Sequence, residues 1–184
     1  MQAAAYAYFH LYDSCLEILD TLEILIRKND LIDYRIILFQ QRGYIYSKKK
    51  QDSTAIKNYE KGVAVAKNHK QPAGLYISLV SAFLKLRDFE KAKYYISLAK
   101  ELSLTERERM IFMSSEGEIC LFEGDEKSYW KLQKIPLLYF EQNKCTRNLE
   151  YIYSYLATYY YGKGNAKKSA LYYYKKEQLN HEKN

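Results

Sequence analysis

Two apolar patterns of helical spacing, joined by only two residues, constrain this chain more than any other feature. Leu79, Ala82, Phe83 and Leu86 recur at i, i+3, i+4 and i+7, and Ala92, Ile96 and Ala99 follow four and then three residues apart. Each run places its apolar side chains along one stripe of a helix. With only Arg87-Asp88 between them, the runs are predicted to be antiparallel neighbours, a helical hairpin over 75–102. Small Ala92 and Ala99 on either side of Ile96 suit close docking of the second helix.

The same unit recurs along the chain. A short Ala- and Tyr-rich helix is expected over 3–9, then a second over 13–27 with Cys15, Leu19, Leu22 and Leu25 or Ile26 on a wide apolar face. Asn29-Asp30 breaks that pattern, and Asp30 is expected to cap a helix over 31–47. After a polar turn, 53–67 carries Ala55, Tyr59, Gly62 and Val63 in a stripe, and Asn68 to Pro72 closes it. Thr105 to Glu108 matches a capping box, which opens a helix reaching Phe122. Gly124-Asp125 supplies a turn and a cap for 127–140, where Pro136 predicts a kink or break near Lys134-Ile135. A helix over 147–161 carries Tyr153, Leu156, Ala157 and Tyr160. Gly162 to Asn165 ends it, and the last helix, 166–179, carries Ser169, Ala170, Tyr173 and Tyr174.

Composition agrees with an all-α chain. Of 184 residues only 7 are Gly and 2 Pro, too little turn chemistry for a hairpin-rich sandwich or barrel, while 48% hydrophobic residues suffice for a continuous core. The 21 Tyr are also what an AT-rich genome would give, together with the abundant Lys, Ile and Asn. The formal charge of +7 is spread along the chain. Its densest run, Lys48-Lys49-Lys50, falls where a helix ends and suits the negative end of a helix dipole, so direct nucleic-acid binding is not expected.

Cys15, Cys120 and Cys145 are widely spaced and form neither a C-x-x-C pair nor a cluster with His; they read as small, buried apolar residues in a reducing compartment. No apolar run has the length of a membrane span, and the N-terminal residues lack a basic signal-peptide region. These features predict a cytoplasmic location, or a periplasmic one if the sequence is a piece of a membrane-anchored regulator.

Anchored on Cys15, Ala55, Ala92, Tyr129 and Ser169, the hairpins recur every 37 to 40 residues, slightly above the 34 of a compact helix-turn-helix repeat. Phe39, Gly43, Tyr46, Ala55, Tyr59 and Gly62 stand at the aromatic, Gly, Tyr, Ala, Phe and Ala places of a tetratricopeptide repeat. Tyr76, Val80, Phe83, Ala92, Ile96 and Ala99 occupy the same places in the next unit, and Tyr153, Ala157, Tyr160, Ser169 and Tyr173 in the last. The chain thus resembles the tetratricopeptide repeat (TPR) family over nearly all its length. Gly117 fits the fourth unit, whereas Tyr129 and Pro136 depart from it. The resemblance implies a right-handed superhelical solenoid of about five repeats in one domain over 1–184, at about 1–29, 30–70, 71–103, 104–143 and 144–184.

Catalytic chemistry is not visible. His10, His69 and His181 sit in no constellation with a nucleophile or a metal-ligand set, and Gly162-Lys163-Gly164 lacks P-loop spacing; neither an enzyme nor a cofactor is expected. What the resemblance does imply is a concave face that binds a protein or peptide. By position that face holds Ile37, Gln40, Tyr44 and Lys48, then Ile77, Ser81 and Lys85, then Ser114, Glu118 and Leu121, then Tyr151, Ser154, Thr158 and Tyr161. The mixture suits a peptide held by aromatic contacts and backbone hydrogen bonds, with a carboxylate near Lys48 or Lys85. Gln40 and Tyr44 replace the Lys and Asn that a chaperone-type carboxylate clamp requires.

Two readings of function follow. One is a binding scaffold, free or within a larger protein. The other is the sensor region of a bacterial regulator whose output domain lies outside this sequence, a reading that rests on similarity of style to tetratricopeptide regions in regulators of Bacteroidetes-type bacteria. Terminal hairpins without a polar capping helix, at Ala3-Ala4-Ala5 and Tyr172-Tyr173-Tyr174, are candidates for self-association.

Overall fold

The structure is a computed structural model that describes residues 2–66 and 73–181, with side chains over 11–66 and 73–179. Its described residues form helices α1 (Gln2–Lys28), α2 (Ile32–Lys48), α3 (Asp52–Ala66), α4 (Ala73–Lys85), α5 (Phe89–Lys100), α6 (Glu106–Phe122), α7 (Glu126–Gln142), α8 (Thr146–Gly162) and α9 (Ala166–His181), with no strand among them. Asn68 to Pro72, read above as a helix stop, lies outside the described residues. The chain divides into two compact units, 1–108 and 109–184.

One three-residue turn, used six times, makes the helical pairs. Asp30, Lys50, Arg87, Gly124, Lys144 and Gly164 each adopt a positive φ, between 49° and 93°. In each turn the next residue's N–H bonds to a carbonyl five residues back, as Asp88 N to Phe83 O at 2.9 Å and Asn165 N to Tyr160 O at 2.9 Å. The positive-φ residue bonds three back, as Arg87 N to Leu84 O at 3.0 Å. This is the Schellman arrangement, which satisfies the last carbonyls of one helix while reversing the chain. The residue that completes it then caps the next helix: Asp88 accepts from Lys91 N at 3.2 Å, Asp125 from Ser128 N at 2.9 Å and Asn165 from Lys168 N at 3.1 Å. Asp30 is not such a cap, because it holds the left-handed position and Leu31 precedes α2 without a side-chain bond.

In the first unit α2 packs on α3 and α4 on α5 as hairpins, α3 lies against α4, and α1 covers α2. Leu38, Phe39, Ala55, Tyr59, Leu75, Leu79, Ala92 and Ile96 are buried between them. The two apolar patterns expected over 3–9 and 13–27 form the single helix α1, since no Gly or Pro lies between them. The first stretch is therefore one helix and not a hairpin. Arg42 of α2 pairs with Asp20 and Glu23 of α1, and Lys49 pairs with Asp13.

The second unit is built around tyrosine. Tyr129, Phe140, Leu149, Ile152, Tyr153, Tyr155, Leu156, Tyr159 and Tyr160 form its core with Met110 and Leu121. α7 runs unbroken through Pro136. Tyr129, Gln133, Pro136 and Phe140, at spacings of four, three and four, make its buried face, and burial of that face outweighs the hydrogen bond that proline removes. On α9 the inward aromatic is Tyr172, stacked on Tyr160 at 5.8 Å, whereas Tyr173 is exposed. The three cysteines are free and only half-buried, not fully buried as expected.

Candidate functional site

The expected binding residues separate by unit. In the first unit α2 exposes Ile37, Tyr44 and Lys48 and half-buries Gln40, while α4 exposes Ser81 and Lys85 and half-buries Ile77. Gln40 crosses to α4, where a Cβ built at Gly74 would stand 2.9 Å from its Nε2, so the end of the Gln40 side chain rests on the Gly74 backbone. Behind them, Gly43 lies against the ring of buried Tyr59, and burial raises that phenol to about 12. Lys48 Nζ stands 5.2 Å from the centre of the Tyr44 ring, and Lys85 Nζ bonds Asp52 Oδ1 at 2.7 Å. Lys85 is thus a neutralised cation, and Lys48 is the one offered to an incoming anion. The face presents one aromatic ring, two aliphatic side chains, a hydroxyl, an amide and two lysines, one of them paired with Asp52.

In the second unit the structure corrects the assignment. Ser114 and Glu118 are buried, and Leu121 is fully so, because α6 turns this side toward α7 and α8 rather than to solvent. The Glu118 carboxylate accepts from the Tyr151 hydroxyl at 2.9 Å. Tyr151 keeps 44% of its surface exposed but sends its hydroxyl inward, and burial, then the Glu118 charge, holds that phenol well above its ordinary range. Ser154 is half-buried, Tyr161 is exposed, and exposed Thr158 donates to Ser154 O at 3.0 Å, which satisfies it locally. This unit offers a ligand much less than the first.

A feature absent from the expected set lies beside it. α1 and α2 enclose an apolar trough of about 370 Å³, with Leu22, Leu25, Tyr34 and Ile37 at its exposed mouth. Its signal is in the sequence: Tyr34, Ile37, Gln41, Tyr44 and Lys48 alternate at three and four residues along one exposed line of α2.

Burial, followed by the charges of Asp125, Glu123 and Glu116, raises the Cys120 thiol and so keeps it from the reactive thiolate form. Among the described residues no three His, Cys, Asp or Glu side chains gather closely enough to hold a metal ion. No helix among them is long and apolar enough to cross a membrane. No protein-family model matches the chain, and no curated protein matches it in sequence.

Proposed function

We propose that the chain is a non-catalytic, tetratricopeptide-like scaffold, its hairpins stacked as a superhelical solenoid, that binds a protein or peptide segment on the α2 and α4 face of its first unit. The observation that carries this is the meeting of Gln40 with Gly74, which joins two exposed helical lines into one surface. Tyr44 there is half exposed and sits beside Lys48, a pairing suited to an aromatic contact flanked by a carboxylate. The buried small residues Gly43, Ala55, Ala92 and Ala99 support the repeat reading, since each lets two helix backbones approach.

The test is selection of a displayed library of random peptides on the intact chain, followed by titration of the selected peptides against Tyr44→Ala, Lys48→Glu and Ser81→Arg. Loss of about tenfold or more in affinity is expected for at least Tyr44→Ala, which removes the central exposed ring. Selected peptides that bind all three variants as they bind the parent would move the site off this face.

A further inference from the structure

α1 is joined to its unit differently from the helices that follow it. Among its described side chains Ile26 alone is buried, in a cluster with Leu38 and Phe39 of α2, and Cys15, Leu16 and Leu19 are half-buried. Leu11, Ile18, Leu22, Ile24 and Leu25 are 42% to 69% exposed. In the same unit α4 buries Leu75, Leu79 and Phe83 among others, and α5 buries Ala92, Ile96 and Ala99. The apolar burial that fixes a helix in place is therefore small for α1.

Ion pairs supply the remaining attachment, and they are ordered along the helix. Asp13, Leu16, Asp20 and Glu23 fall three, four and three residues apart on one line of α1, and Leu38, Arg42, Ile45 and Lys49 fall four, three and four apart on one line of α2. The lines run antiparallel. Ile26 clusters with Leu38 next to the turn at Asp30, Arg42 holds Glu23 and Asp20 further along, and Lys49 holds Asp13 beyond them. Apolar contact thus sits at the turn, and the distant part of α1 rests on charge. Arg42 and Lys49 keep only 13% and 15% of their side-chain surface exposed, so α1 lies over them, while Asp20 and Asp13 remain open to solvent. Burial works against the Glu23 charge, yet the Arg42 and Arg27 guanidiniums outweigh it and hold that carboxyl below its ordinary 4.5. The network is favourable as it stands, and with two of its three carboxylates in water it is screened by salt as an apolar contact is not.

We infer that α1 is a hinged strap, latched by Arg42 and Lys49, that opens about the Asp30 turn and uncovers the Leu38, Arg42, Ile45 and Lys49 line of α2. Opening breaks these three ion pairs and gives up little apolar burial, so α1 leaves while α2 to α5 stay folded. The closed strap shields two cations of α2 with carboxylates of the same chain. Tyr44, Ser81 and Lys85 take no part in the latch, so this inference does not rest on the peptide-binding reading.

Amide hydrogen exchange on the intact chain, read peptide by peptide in a mass spectrometer, provides the test. At low salt the amides of 11–25 are expected to be protected, yet to exchange about tenfold or more faster than those of α4 and α5, through local opening. Salt at about 1 M, where the Debye length is about 3 Å, speeds them about fivefold further and leaves α4 and α5 within about twofold. Alkylation of the half-buried Cys15 thiol rises in parallel. Arg42→Met keeps the side-chain stem and removes the central charge of the latch, so it gives the fast rate already at low salt and loses most of the salt response. Asp13→Asn with Asp20→Asn, both exposed, does the same without altering α2. Glu17→Gln, an exposed carboxylate off the latch line, exchanges as the parent does. The inference is overturned by 11–25 exchanging as slowly as α4, or as fast as an unstructured chain at low salt. It is equally overturned by a parent rate that salt does not change, by both latch variants keeping the parent's rate and salt response, or by Glu17→Gln matching them.

Discussion

Gly43 of α2 faces the edge of the Tyr59 ring of α3 so closely that a methyl group at 43 would lie 2.2 Å from Cε1, 2.5 Å from Cδ1 and 2.8 Å from Cζ. Gly→Ala in a helix interior ordinarily gains up to about 1 kcal/mol from the restricted unfolded chain. Here the ring must move, and Tyr59 is buried at 4% exposure among well-packed neighbours. Overpacking of this kind costs about 1–3 kcal/mol, so the steric term wins. Gly43→Ala is expected to melt several degrees below the parent in a thermal unfolding scan. An unchanged or raised melting temperature would show that the ring is free to swing aside.

The six hairpin turns make the opposite prediction. Lys144 occupies the left-handed position at φ 52°, the place that Gly124 and Gly164 fill in the neighbouring turns of the same unit. A residue with a Cβ is strained there by about 1 kcal/mol, whereas glycine is not. Lys144 is exposed, so its side chain contributes little burial to set against that strain. Lys144→Gly should therefore raise the stability measured by denaturant titration by up to about 1 kcal/mol with an unchanged slope. A loss of stability would mean that the lysine side chain stabilises the folded turn by more than the strain it carries.

The particular residues show what was legible in the sequence. Ala92, Ile96 and Ala99 are all buried, because small and large apolar groups at three- and four-residue spacing leave a helix one way to pack. The capping box was equally plain: Thr105 N bonds Glu108 Oε2 at 2.8 Å, and Glu108 N bonds Thr105 Oγ1 at 3.3 Å. Periodicity fails where two faces of one helix are both apolar. On α1 it puts Cys15, Leu19, Leu22 and Leu25 or Ile26 in a single stripe, although Ile26 is buried against α2 whereas Leu22 and Leu25 lie at an open mouth. It also cannot distinguish an outward polar residue from a buried one with a partner. Position in the repeat assigns Glu118 to the open face, and only the fold reveals the Tyr151 hydroxyl, 33 residues away, that donates to it.

The α7–α8 contact yields a pH dependence. The Glu126 carboxylate accepts from the Tyr160 hydroxyl at 2.5 Å, and that bond, opposed by partial burial and aided by Trp130 and Lys168, holds its pKa below the ordinary 4.5. A carboxyl group depressed on folding contributes stability above its unfolded value, and loses it as pH falls through the folded one. The parent should therefore lose stability below about pH 4.5 faster than Glu126→Gln, and the difference between them should shrink as the solution is acidified. Chemical unfolding at neutral pH and at successively lower pH measures this. Parallel curves for the two proteins would show that Glu126 is not coupled to folding.

Gln133 is wholly buried, and its amide nitrogen has no partner, while its Oε1 receives the Tyr155 hydroxyl at 3.3 Å. A buried polar group deprived of its last hydrogen bond costs about 1–3 kcal/mol, but removing both members of a pair with apolar groups of similar shape is nearly neutral. Tyr155→Phe is expected to destabilise the second unit by about 1–3 kcal/mol, since it strands the whole Gln133 amide. Adding Gln133→Met, which fills similar volume with an unbranched apolar chain, should recover most of that loss, because no unpartnered amide then remains in the core. A double-mutant cycle in urea separates the coupling from the two single effects. Additive losses would mean that the Tyr155 and Gln133 side chains contribute to the core only through their packing, and that the buried amide is no liability to the fold.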